Sequence, residues 1–352
     1  MTHHRTIKRN VALAAGLALA VALGATACAD PKDATGQESA EPSRDQTVVA
    51  PLSGQLGDKS FFDSANRGFE RARADLGLNV QVIEASTNDA PAWERNLRDT
   101  AKRKDVGLIV TGGTVVASTL AALAPDYPEA KFVIFDAASQ GDNVTGITYA
   151  QNEGAFIAGV TAAVITLNPD QFPRAQGTKR VGMIGGTDIP VGRDFAAGFE
   201  DGVKAVDPSI EVDLRFTGDF VNPQKGYDTA SAMVKDGADV VYHFAGPAGL
   251  GILQAVDDAN GYAIGQDSDQ NDLYPDTIVG SAIKSVDETL FAAIRDWTEG
   301  KLEMGQTRVG NLANNGVGFV FNDALVPGEA KASIGEWVDR VKDGSVKPAS
   351  VL

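Results

Sequence analysis

Short apolar runs alternate with amphipathic stretches along most of this chain. The runs at 47–51, 80–83, 106–110, 132–135, 181–184, 240–244 and 278–283 are mostly continuous, the pattern of parallel strands covered on both faces. Ile210-Glu-Val-Asp-Leu-Arg-Phe216 alternates instead, which predicts a strand with one face toward water. Between the runs lie helical stripes. In 64–76, Phe69, Ala72 and Leu76 share a face and Gly77 supplies a C-terminal cap; in 91–103, Trp93, Leu97 and Ala101 fall on successive turns. These stripes are packing seams, so Phe69 and Trp93 are assigned to the core. Repeated strand–helix–strand units predict doubly wound parallel sheets. Repeats of 20–50 residues are absent.

The two ends have a different character. Arg5, Lys8 and Arg9 precede an apolar stretch over 11–27, too short for a stable spanning helix, which ends Ala25-Thr26-Ala27-Cys28. Residues 1–27 are thus read as a secretory signal, and small residues before a cysteine resemble a bacterial lipoprotein cleavage site. Cys28 is the one cysteine of the chain, so an intrachain disulfide is impossible and a lipid attachment point is expected there. Residues 28–46 lack large apolar side chains, apart from the valine-free run of small and charged residues nothing in them could form a core, and a flexible tether is expected. The remainder, about three hundred residues, suits two lobes better than one core. Lobe crossings are placed near Ala150, near Lys284 and in 310–318, giving one lobe from 47–150 plus 284–315 and another from 151–283 plus 316–352.

Composition then narrows the function. The formal charge is −16, and removal of the signal with its three cations would make it more negative still. Such a surface repels phosphate backbones, so nucleic acid is not an expected partner. Of three histidines, His3 and His4 fall within the signal, which leaves His243 alone and argues against a histidine metal site. Asp267-Ser-Asp269-Gln-Asn271 begins like a calcium loop, but Asp272 stands where glycine is required and Ile278 where a bidentate glutamate is required. Gly246-Pro-Ala-Gly249-Leu-Gly251 has the wrong spacing for a dinucleotide loop. Neither a nucleophile elbow nor a phosphate loop occurs, so no catalytic residue, metal or cofactor is expected and the chain is not read as an enzyme.

A set of polar and aromatic residues falls at predicted strand ends: Asp58, Phe61, Phe62, Asp136, Phe220, Asp267 and Lys284. Taken singly, an aspartate after a strand is a helix cap. Together, carboxylates suit the hydroxyls of a sugar and aromatic faces suit a planar ring, which points to a nucleoside.

The chain also resembles the basic membrane protein family of bacterial lipoproteins, the purine nucleoside receptor-like substrate-binding components of ABC importers. The resemblance rests on ordered blocks from about residue 47 to 321: Gly57-Asp-Lys-Ser-Phe61, Val133-Ile-Phe-Asp136, Gln151-Asn-Glu-Gly-Ala-Phe-Ile-Ala-Gly159, Gly182-Met-Ile-Gly-Gly186, Asp194-Phe-Ala-Ala-Gly-Phe199, Gly249-Leu-Gly251, Ala263-Ile-Gly-Gln-Asp-Ser-Asp-Gln270 and Ser281-Ala-Ile-Lys284. It implies the type I periplasmic-binding-protein fold, two α/β lobes joined by a three-strand hinge, with a purine nucleoside buried between them. By position, Asp136, Asp267 and Lys284 would hold the ribose and Asp58 would meet the base. Phe61 and Phe220 would supply apolar or stacking walls, and Gly246 would lie close beneath the ligand.

In one place the chain departs from the family pattern, which has Asn after Asp-Lys-Ser-Phe and an aromatic four residues later. Here those positions hold Phe62 and Asn66. Residues four apart share a helix face, so stacking and amide hydrogen bonding are expected to survive from exchanged positions. The resulting expectation is a monomeric receptor on the outer face of the cytoplasmic membrane, delivering a nucleoside to an ABC permease. Alternatives are another flat heteroaromatic with a polyol, such as riboflavin, or a ligand sensor in place of a transport component.

Overall fold

The computed structural model describes residues 44–352. Cys28, the signal over 1–27 and nearly all of the expected tether lie outside the described residues. Two six-stranded sheets carry the architecture, with strand orders β11-β5-β4-β3-β1-β2 and β12-β10-β9-β8-β6-β7. The first contains β1 (Thr47–Pro51), β2 (Asn79–Ile83), β3 (Leu108–Gly112), β4 (Phe132–Phe135), β5 (Val144–Tyr149) and β11 (Thr307–Gly310). The second contains β6 (Arg180–Gly185), β7 (Glu211–Phe216), β8 (Val240–Phe244), β9 (Tyr262–Asp267), β10 (Ile278–Lys284) and β12 (Val317–Phe321). All pairings are parallel except β10 with β12. The expected doubly wound α/β fold with two lobes is therefore present. The chain passes between the sheets three times, after β5, after β10 and between β11 and β12.

Continuous apolar strands are buried as their pattern requires: β1, β3 and β4 are buried at every position. The alternating run at 210–216 became β7, an edge strand whose residues are half-buried or exposed. Its charges are used there, since Asp213 takes Arg180 at 3.0 Å and Arg215 at 2.6 Å. Three strands were not read from the sequence, and a fourth, β9, only by its end at Asp267. β5 is interrupted by Thr145, Gly146 and Thr148, and β11 and β12 are short edge strands, so neither apolar continuity nor alternation marks them.

One helix joins the two cores. Past its first turn, α4 (Gln151–Leu167) is apolar on all sides; Phe156, Ile157 and Val160 pack into the core of the first sheet while Ala155, Ala158 and Ala162 pack into that of the second. Against it lies α5 (Pro190–Val206), so close that a Cβ on Gly202 would sit 2.1 Å from the Phe156 carbonyl oxygen and one on Gly198 2.2 Å from that of Asn152. Those glycines let the two backbones touch.

One buried titratable group of the described residues is His243 on β8, which is fully shielded from water. Its Nε2 lies 3.0 Å from Gln270 Oε1, while Nδ1 has no hydrogen-bond partner. Desolvation dominates and pushes the imidazole down to about 4 from its ordinary 6.5, the Gln270 contact opposing. The unfolded chain therefore takes up the proton first. The stability contributed by neutral His243 is complete above about pH 6.5 and is lost as pH falls toward 4, by roughly 3 kcal/mol in all. Chemical denaturation of wild type and His243→Gln across pH 4–7 should show this slope in the wild type and a shallower one in the variant. Equal slopes would mean the imidazole is charged or solvated in the native state.

Candidate ligand-binding site

Within each sheet five strands follow the order 2-1-3-4-5: β2-β1-β3-β4-β5 in one and β7-β6-β8-β9-β10 in the other. Chain direction reverses across the sheet between β1 and β3 and between β6 and β8, so loops diverge there and leave a crevice at the carboxyl ends of the strands. A cavity lined from both lobes occupies this place. Ser53 and Asp58 reach it from after β1, Thr87 from after β2, Gly113, Thr114 and Val115 from after β3, and Asp136 from after β4. From the other lobe come Ile189 and Val191 after β6, Phe220 after β7, Phe244, Gly246 and Pro247 around the end of β8, Asp267 ending β9 and Lys284 ending β10. Phe61 and Phe62, the first two residues of α1 (Phe61–Leu76), complete the lining.

The structure thus brings together Asp58, Phe61, Phe62, Asp136, Phe220, Gly246, Asp267 and Lys284. Asn66 does not join them. It lies in a separate surface depression with Asp63, Arg67 and Asp269. One helical turn is about 5.4 Å, and Asn66, one turn beyond Phe62, is not among the residues lining the cavity that would have to carry the expected exchange of aromatic and amide. No asparagine or glutamine lines this cavity. The sequence reading also passed over Ser53, Thr87, Gly113 and Phe244. The rule that flagged Asp136, taking the residue just past a strand, finds Gly113 after β3, whereas Ser53 lies one residue farther on from β1.

At one end sits a buried ion pair. Lys284 Nζ donates to Asp136 Oδ1 at 2.8 Å, both side chains almost wholly shielded. Burial raises the Asp136 carboxyl above the ordinary aspartate range, the Lys284 ammonium opposes this, and Asp267 adds to it. Three rings surround the ammonium, Phe195, Tyr149 and Phe61, with centroids 5.2, 5.3 and 5.4 Å away. Asp267 accepts Gln266 Nε2 at 2.6 Å and Ser60 Oγ at 3.0 Å. Asp136 (φ 63°) and Asp267 (φ 68°) both hold left-handed backbone conformations rare for non-glycine residues. Strain of this kind concentrates at ligand clamps.

The Asp58 carboxylate closes off the first turn of α1, whose N-cap residue is Ser60. Its Oδ1 accepts the N–H groups of Ser60 and Asp63 at 3.0 Å each, and its Oδ2 that of Phe62 at 2.9 Å. These satisfy orphan donors of the first turn and explain why α1 begins at 61, three residues before the stripe that starts at 64. Desolvation outweighs those three bonds and pushes the carboxyl up to about 6. The Phe62 ring covers Gly54, where a Cβ would clash, and the Phe220 ring likewise covers Gly186 while standing edge-on to Phe244.

The lobes meet directly beside the cavity. Gln270 Nε2 donates to the Lys59 carbonyl at 3.0 Å, and Ser268 Oγ to that of Ser60 at 2.9 Å. Farther out, Asn88 Nδ2 reaches Asp219 Oδ1 at 3.4 Å. This is a closed arrangement in which cavity groups are held in register by both halves.

Residues 46–349 match the family model described as ABC transporter substrate-binding protein PnrA-like. The chain is 30% identical over 292 residues to basic membrane protein D of Borreliella burgdorferi, covering 80% of this chain and 81% of that protein. It is 30% identical over 278 residues to an uncharacterized lipoprotein of Pyrococcus abyssi, 76% of this chain and 66% of that one. Among solved structures, an ABC transporter system solute-binding protein from Aeropyrum pernix K1 superposes with a TM-score of 0.78 at 27% identity, covering 86% of this chain and 93% of its own.

Removing the ammonium of Lys284 leaves Asp136 buried beside Asp267. Lys284→Met should therefore destabilise the protein by about 3–5 kcal/mol near neutral pH. The loss should shrink as pH falls and Asp136 protonates, and Asp136→Asn should restore part of it in the double variant. A pH-independent loss, with no recovery in the double variant, would show that the pair is not coupled.

Proposed function

Since this chain belongs to the PnrA-like family of ABC-transporter substrate-binding proteins, we propose that it binds a nucleoside, in the first instance a purine nucleoside, in the cleft between its lobes and hands it to an importer permease. The observation that carries this reading is the polarity of the cavity: Asp136, Asp267 and Lys284 gather at one end, and Phe61, Phe62, Phe220 and Phe244 line the walls. Vicinal hydroxyls are donors for carboxylates and acceptors for an ammonium, and a heterocyclic ring fits between aromatic faces. In this reading it is a binding site, whose carboxylates are held by partners that position them.

A second reading has an observation of its own. The cavity adjoins a second pocket that shares Thr114, Val115, Asp136, Ile189 and Val191 with it and adds Thr148, Tyr149 and Gln151. A flat heteroaromatic with a longer polyol, such as riboflavin, would extend that way.

Cys28 is proposed as the lipid attachment site that holds the receptor at the outer face of the cytoplasmic membrane, as a monomer. The lipoprotein description of the Pyrococcus relative supports this.

In ligand-stripped protein, guanosine, inosine and adenosine should raise the melting temperature, by the equivalent of about 2.7 kcal/mol at one hundred times the dissociation constant, and free ribose should not. Riboflavin stabilising where nucleosides do not would favour the second reading. Cys28→Ser should release the protein from the membrane fraction with unchanged ligand affinity, because the anchor is separated from the cleft by the intervening chain. Retention of the variant in that fraction would exclude a lipid on Cys28 as the anchor.

A further inference from the structure

The second pocket, which meets the cavity at Asp136, contains a side chain of fixed hydrogen-bonding polarity. Gln151 opens α4 just after β5 and is only 3% exposed. Its Nε2 donates to Asp194 Oδ2 at 2.8 Å, from α4 across to α5. Asp194 is buried too, and its Oδ1 accepts Ser350 Oγ at 2.6 Å and the Val351 N–H at 2.9 Å. The segment that brings those donors is itself fastened: Asn152 Nδ2 donates to the Pro348 carbonyl at 3.1 Å, and the Ala349 N–H to Asp201 Oδ2 at 2.9 Å. Three donors therefore converge on one carboxylate, a group that accepts and does not donate.

This fixes the orientation of Gln151. An amide that gives its nitrogen to Asp194 turns its oxygen elsewhere, and Oε1 has no hydrogen-bond partner among the described residues. That oxygen only accepts, on a buried residue that lines the pocket. Asp136, bound to the Lys284 ammonium, is an acceptor there as well. The Thr114 and Thr148 hydroxyls also line the pocket and adapt to either role, while Val115, Ile189, Pro190 and Val191 are apolar. A buried acceptor is costly to leave unpaired, so Oε1 calls for a donor from water or from a ligand.

On the nucleoside reading above, we propose that Gln151 is a further ligand-binding residue whose Oε1 accepts the 5′-hydroxyl of the sugar, and that Asp194 is the positioning residue that orients its amide. The vicinal 2′- and 3′-hydroxyls suit the group of Asp136, Asp267 and Lys284. The 5′-hydroxyl is the one sugar donor this leaves. The ligand class is then a nucleoside with a free 5′-hydroxyl, and an ether at that position, which only accepts, is disfavoured.

The test is titration calorimetry at neutral pH on ligand-stripped protein, using whichever of inosine, guanosine and adenosine binds most tightly, with its 5′-deoxy and 5′-O-methyl forms. Wild type is expected to bind the parent at least about tenfold more tightly than either form, the equivalent of 1.4 kcal/mol. Gln151→Leu should weaken the parent and bring the 5′-deoxy form to within about threefold of it. In Asp194→Asn the new amide can keep Ser350 and Val351 on its oxygen and present its nitrogen to Gln151, whose own amide then turns to place Nε2 in the pocket. There the 5′-O-methyl form should gain on the parent by at least about fivefold while the 5′-deoxy form does not. A residue that merely braced the two helices would not produce that selective gain. Wild type binding the parent and its 5′-deoxy form equally would overturn the proposal whether or not the variants fold, and so would Gln151→Leu retaining the tenfold gap. Both results leave the nucleoside reading standing, because the parent still binds. Folded wild type that binds none of the three nucleosides removes that reading and the proposal with it.

Discussion

A lysine ammonium and an aspartate carboxylate 2.8 Å apart, both shielded from water, sit where the chain leaves one sheet for the other. Lys284 ends β10 in the second sheet, and Asp136 follows β4 in the first. Taking two charges out of water costs several kcal/mol per ion, and the attraction between them offsets this only while the geometry holds. The pair therefore ties the relative placement of the lobes to the electrostatics of the cavity. A shift of either sheet that lengthened the contact would strand two charges.

The same economy of shared parts recurs in α4, whose opposite faces serve the two cores. An ordinary amphipathic helix could not do this, because one face must meet water. Past Gln151, Asn152 and Glu153 of its first turn, α4 is apolar, and it is shielded in part by the glycine-mediated approach of α5. The closeness of that approach leaves no room for a methyl group, so the docking distance of the two helices is set by backbone contact and is correspondingly stiff.

Cavity chemistry follows from strand ends. Parallel strands in a doubly wound sheet deliver their carboxyl termini to one edge, and here nine strand ends from the two sheets converge on one space. Whatever residues occupy those ends become the site. In this chain they are three aspartates, one lysine, small residues and four phenylalanines. Acceptors outnumber donors, so a ligand rich in hydroxyl and N–H groups is favoured over an anion.

How far this could be seen in advance depends on the range of the interaction. The apolar runs determined by themselves that the strands are parallel and buried, because burial on both faces excludes polar residues at every second position. The alternating run at 210–216 likewise foretold a less covered strand, and it lies at a sheet edge. Trp93 and Phe69, assigned to packing by their helical spacing, are buried. Eight of the nine candidate ligand residues line one cavity because each was chosen at a strand end, and topology alone collects strand ends.

Tertiary structure decided what spacing along the chain cannot encode. Asn66 and Phe62 are four residues apart on α1, and equal angular placement says nothing of axial distance from the cavity; one turn beyond Phe62, Asn66 is not among its lining residues. Asp58 carries two roles at once, and only the coordinates show that the first turn of α1 uses most of its acceptors. That Lys284 meets Asp136 and not Asp267 depends on where β4 and β10 finish in space. Local pattern determines which faces are buried because burial is imposed residue by residue. Which charge meets which is determined by distances between segments about 150 residues apart, and those exist only once both sheets have formed.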